Sequence, residues 1–152
     1  MSSGEMERTA TPGDAELVLR LYELRREETL RQARKYLVFD FNPTTLEELR
    51  AVSRAIGTKE NAYWRQAISY WEMASSFVLR GALNGDLFLD SNAEGILLYA
   101  KFHHWHAETE KQSGNRFMRQ TAELIDRFPA ARSRYEAFLK SFEGARAAAA
   151  VK

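Results

Sequence analysis

Apolar side chains recur at steps of three and four residues along almost the whole chain, and this periodicity constrains the fold more than any other feature. Leu17, Val18, Leu21 and Leu24 form one such series, continued by Leu30, Ala33 and Leu37. Leu46, Leu49, Val52 and Ile56 form a second, and Trp64, Ile68, Trp71, Val78 and Leu79 a third. A helix turns by about 100° per residue, so this spacing gathers the apolar groups on one face that must be buried. No segment reads as a strand; Tyr36 to Phe41 comes nearest and continues a helical pattern. The expected fold is all-α, an irregular bundle of five to six helices.

Local signals place the boundaries. A flexible leader is expected over residues 1–13, with Asp14 capping a first long helix that runs through Phe39. Pro43 closes that region, because a residue before proline disfavours the helical conformation. Thr45 with Glu48 fits a capping box for a short second helix, with Thr44 and Glu47 as the shifted alternative, and Gly57 stops it. A third helix spans about Lys59 to Arg80, and Asp86 caps one turn after the Asn84-Gly85 turn. Asn92 is expected to cap a fourth helix that continues through the histidines to Gly114. A fifth helix starts near Asn115, and a sixth starts at Pro129, giving one bundle domain over residues 14–144 and a fraying alanine-rich tail over 145–152.

Composition narrows the classes of function. The chain has 152 residues, enough to hide about 70% of its unfolded surface in one core. Lys and Arg number 22 against 21 Asp and Glu, so no overall charge draws the chain to nucleic acid or anionic lipid. A basic excess does exist from Arg116 to Lys152, and a nucleic-acid reading rests on that part alone. Cysteine is absent, which removes disulfides, thiolate metal sites and a cysteine nucleophile. No apolar stretch suits a signal peptide or a membrane span, so no membrane contact and a cytoplasmic location are expected.

All three histidines lie in the segment FHHWHAE, Phe102 to Glu108. On a helix His103, His106 and Glu110 share one face, three and four residues apart. Such a set suits a divalent metal such as zinc or iron, although one helix seldom closes a site alone. Neither the paired Glu-x-x-His pattern of di-iron bundles nor His-Glu-x-x-His is present. The simpler reading is a packed helix whose histidines make stability depend on pH.

A second candidate surface is aromatic. Tyr63, Trp64, Arg65 and Trp71, together with Trp105, offer the residue types that anchor protein partners, or they fill the core. The basic residues of the first helix, among them Arg31, Arg34 and Lys35, interleave with acids and read as a solvated face. No phosphate-binding glycine loop and no Gly-x-Ser-x-Gly elbow occur.

The stretch from Tyr70 to Trp105 carries a helix around Trp71 to Leu79, the Arg80-Gly81 ending, the Gly85-Asp86 turn and an apolar run after Asp90. In these features it resembles a family of uncharacterised bacterial all-helical domains of unknown function. The resemblance implies a small helical bundle and supplies no catalytic residue; some relatives carry membrane helices upstream, a pattern from which this chain departs. The leading reading is a soluble helical interaction or regulatory domain, as a homodimer or with a protein partner. A metal-dependent enzyme using His103 and His106, and a nucleic-acid binder, are the alternatives.

Overall fold

Polar side chains cut the expected long helices into pieces. The computed structural model describes residues 8–151. Among these, nine α-helices form: α1 (Pro12–Arg25), α2 (Glu28–Lys35), α3 (Leu46–Ser53), α4 (Lys59–Leu79), α5 (Gly85–Ser91), α6 (Glu94–Phe102), α7 (Ala107–Ser113), α8 (Arg119–Arg127) and α9 (Pro129–Ala150). A π-helical turn, Tyr36–Asp40, extends α2, and a 3-10 turn, His103–Trp105, joins α6 to α7. The all-α class is as expected, but the count of five to six helices is corrected to nine. No helix among the described residues is long and apolar enough to cross a membrane.

Each extra break has a local cause. Glu27, expected to lie within one long helix, turns its carboxylate onto the amides of Thr29 and Leu30 and so starts α2 anew. Asn84 accepts from the Leu87 amide and makes α5 a full helix, where one turn capped by Asp86 was expected. At His106 the ring Nδ1 donates to the Phe102 carbonyl, the acceptor that the His106 amide would use in an α-helix. That amide bonds His103 O instead, at 2.8 Å, and the chain tightens into the 3-10 turn.

Two expected caps and one expected helix start are also corrected. Thr11, not Asp14, is the N-cap of α1; Asp14 is its capping-box partner, and Pro12 occupies the first turn. Thr45 does accept from the Glu48 amide, while the Glu48 carboxylate reaches back to the amide and hydroxyl of Thr44. Asn92 closes α5 by donating to Phe88 O, and α6 begins after Ala93 without a side-chain cap. The fifth helix starts at Arg119 rather than Asn115, behind Met118 in the left-handed conformation. Its free amides are capped from a distance: Glu72 of α4 accepts from Gln120 N, Thr121 N and Thr121 Oγ1.

Of the expected leader, residues 1–7 lie outside the described residues. Arg8 forms a two-point ion pair with Asp14, at 2.6 and 2.7 Å, and Asp14 also accepts from the Asn84 amide. The Arg8 guanidinium, with the Thr11 and Asn84 amides, holds the Asp14 carboxyl well below the usual carboxylate range against the opposing effect of burial. The start of α1 is thereby tied to the entrance of α5. At the other end, α9 continues through the alanine run to Ala150.

The core forms around α4, which packs against α2, α3, α6 and α8, while α9 covers α6 and α8. Nearly all of α6 is buried, from Gly95 to Phe102, as its almost wholly apolar sequence demands. Trp71 and Gly95 fix the crossing of α4 and α6: a Cβ at Gly95 would fall 2.9 Å from Trp71 Cβ and 3.1 Å from its Cγ. Only a residue without a side chain admits the indole there.

Gly95→Ala is therefore expected to lower stability by about 1–3 kcal/mol, the usual cost of overpacking. Gly144→Ala, in α9 with open space around the new methyl, is expected to raise stability by about 0.5–1 kcal/mol through helix propensity. Urea unfolding of both variants checks the pair; equal midpoints would refute the packing argument.

Candidate functional site

The π turn after α2 leaves backbone acceptors that the helix cannot satisfy. Phe41 N bonds Tyr36 O, five residues back, so it does not serve Leu37. Pro43 has no amide proton to offer. Lys101 of α6 fills the deficit by donating from Nζ to Leu37 O at 2.7 Å and Val38 O at 3.2 Å. The Asn42 side chain donates to Phe39 O. Burial pushes the Lys101 ammonium down to about 8, with Asp40 opposing the shift.

This anchorage forms one wall of a groove of about 630 Å3. Val38 and Phe39 of the π turn face Ala93 and Leu97 at the start of α6 and Phe138 of α9, giving an apolar floor. Arg31, Gln32, Arg34 and Lys35 of α2 form the rim, with Glu94 opposite. Arg34 and Glu94, both in the lining, make a two-point ion pair at 2.7 and 2.9 Å. Lys35 approaches Asp40 at 3.5 Å in a solvent-exposed pair of little strength. The Arg31 side chain has no ion-pair or hydrogen-bond partner among the described residues. Phe39 stands 71% exposed at the lip.

Sequence reasoning missed this groove, since its walls come from three separated segments. One signal was available: Arg31 and Lys35 are like charges four apart, an unfavourable helix pair unless something else uses them.

The residues singled out by sequence lie elsewhere. His103 Nε2 contacts Glu110 Oε2 at 2.9 Å, and Glu110 Oε1 accepts from Phe117 N at 2.7 Å. His106 turns away from that pair, stacked on Phe117 at 3.9 Å with ring planes 1° apart and bonded to Phe102 O. Among the described residues no group of three or more His, Asp or Glu side chains is placed to hold a metal ion. The nearby acid Glu72 of α4 is taken up by the start of α8.

Trp64 and Trp71 are core residues, 7% and 1% exposed, so neither offers an interaction surface. Tyr63 is half-buried, with its hydroxyl on Gln32, and exposed Arg65 donates to Asn61. Trp105 is half-buried beside His104. In the basic C-terminal part, Arg116 and Arg132 both pair with Asp126, and Arg146 donates to the Lys101 carbonyl.

The chain belongs to the family described as "Domain of unknown function (DUF4760)", which matches residues 10–128. This is an uncharacterised bacterial domain family, all-helical like the chain itself. No curated protein and no solved structure gives a significant match. The matched span ends at the close of α8, and α9 lies beyond it.

Burial, only partly offset by the Phe102 carbonyl, holds the His106 imidazolium below the ordinary histidine value; His103 and Arg50 add to the depression and Glu110 opposes it. As pH falls, the unfolded chain takes up this proton first, at about 6.5. The stability that neutral His106 contributes is full above that pH and is lost as pH falls toward the lower folded value. Urea midpoints between pH 7.5 and 5 should show the loss. His106→Phe, which keeps the ring stack, should flatten it; an unchanged slope would assign the effect to another group.

Proposed function

We propose that this domain is a helical interaction module whose groove between α2, α6 and α9 seats an amphipathic helix of a protein partner. The apolar face of that helix packs on Val38, Phe39, Leu97 and Phe138, and its acidic flank meets Arg31 and Lys35. One observation carries the reading: an apolar trough with helical walls has a cationic rim in which Arg31 is unpaired among the described residues. Helix-in-groove recognition uses this combination, with apolar anchors for affinity and rim charge for steering and orientation. A cytoplasmic setting goes with this reading and rests on the cysteine-free composition.

No acid–base pair free for chemistry lines the groove, because Glu94 is held by Arg34. Binding is what the arrangement supports. A second copy of this chain is the competing occupant, and light scattering over a concentration series separates it from a foreign helix.

The test uses a synthetic 18-residue helical peptide with leucines on one face and glutamates on both flanks. Followed by amide chemical shifts, it should perturb residues 31–39, 93–97 and 138 in a saturable way. Val38→Glu should weaken binding by about tenfold or more, the effect of removing roughly 1.4 kcal/mol of contact. Arg31→Glu should also reduce the salt dependence. Shifts confined to other surfaces would reject the groove, and a concentration-dependent dimer with its interface here would replace the partner by a second copy.

A further inference from the structure

A smaller recess lies between α3 and the turn that leads into α7, apart from the groove. Arg50 and Ser53 of α3 and Arg54 at its C-cap line one side over two leucines of the same helix, and Trp105, His106 and Thr109 line the other. Its volume is about 130 Å3, well below the roughly 300–1,000 Å3 of sites for drug-sized molecules. The space suits a small polyatomic ion or the end group of a larger molecule.

The lining is cationic without a counter-charge. Arg50 and Arg54 stand four residues apart on one helix face, where two like charges repel. Neither guanidinium has a hydrogen-bond or ion-pair partner among the described residues, and no acid lines the recess. Arg8, Arg34, Arg116 and Arg132, by contrast, all pair with acids.

An ordinary role for the two arginines would be to satisfy the carbonyls at the end of α3. Asn61 already does this: its buried amide donates to Val52 O and Ser53 O, both at 3.0 Å. Arg65 donates to Asn61 Oδ1 at 3.0 Å and so fixes the orientation of the amide. The heads of Arg50 and Arg54 are left for something else.

The opposite wall adds polar groups of the right kind. Thr109 and Ser53 each bring a hydroxyl, which donates readily to an oxyanion. His106 is held by its stack on Phe117 and by the bond from Nδ1 to Phe102 O, so Nε2 is its remaining ring nitrogen.

We infer that this recess binds a phosphate group, either the free ion or the terminus of a phosphate monoester, through Arg50 and Arg54 with the Ser53 and Thr109 hydroxyls as further donors. Guanidinium forks match tetrahedral oxyanions in geometry as well as charge. The inference is independent of the helix-binding groove.

The experiment titrates the protein with inorganic phosphate and, separately, with glycerol 3-phosphate, at constant ionic strength set with sodium chloride and followed by amide and arginine side-chain shifts. Saturable shifts are expected at Arg50, Ser53, Arg54, His106 and Thr109. Tighter binding of one probe identifies the free ion or the ester as the ligand form. Arg50→Gln with Arg54→Gln should weaken binding by about tenfold or more, as loss of charge-assisted bonds does. Arg54→Gln alone, at an exposed position, should weaken it severalfold in a protein of unchanged fold. Linear, unsaturated shifts with both probes, or equal binding by the exposed-site variant, would overturn the inference.

Discussion

The crossing of α4 and α6 at Trp71 and Gly95 sets the rest of the molecule. With no Cβ at position 95, the indole lies directly on the backbone of α6, and the two helices approach closely enough for every residue of α6 from Gly95 to Phe102 except Leu97 to be buried. A helix buried over most of its surface needs neighbours on most sides, which α8 and α9 supply together with α4. Its ends then emerge at different places. The N-terminal end presents Glu94 and Leu97 to the groove, and the C-terminal end leads into the turn carrying the three histidines. One tight contact thus positions both candidate sites.

Much of this was legible in the sequence, for a physical reason. Burial follows apolar periodicity, and Leu21, Leu37, Leu49, Trp64, Trp71 and Ile96 all lie in the core as their spacing implies. What escaped was any group supplied from far along the chain. Glu72 caps α8 from 48 and 49 residues away. Lys101 serves Leu37 and Val38 across more than 60 residues, and Arg34 meets Glu94 at a separation of 60. A solvated-face reading of α2 was sound for interleaved charges, but Arg34 is drawn inward by an acid that local sequence does not show. The histidines held attention because rare residues had clustered; the structure separates His103 from His106 through one ring–carbonyl bond. Both recesses instead carry basic pairs at a spacing of four, Arg31 with Lys35 and Arg50 with Arg54, a pattern that helix energetics disfavour and that could have been read.

The two sites relate differently to the family match. The small recess is built entirely from α3, the turn after α6 and α7, all within residues 10–128. The groove takes Phe138 from α9, beyond that span. The small recess is thus built wholly within the matched span, whereas the groove is completed by a residue beyond it. Arg146, also on α9, donates to the carbonyl of Lys101, so α9 also touches the residue that holds the opposite wall.

The π turn at Tyr36–Asp40 has one further consequence. Such a turn accommodates one residue more than an α-helix of the same rise, and here Lys101 stabilises the surplus by taking up the carbonyls it leaves over. Deleting a single residue from this turn would restore ordinary helical register and rotate everything on its far side by about 100°. Phe39 would swing off the lip, although every side chain lining the groove could remain. Shape at this surface is therefore encoded by the number of residues in a turn as much as by their identity, and a change of chain length here would redraw the groove together with the seating of Leu37 and Phe41 in the core.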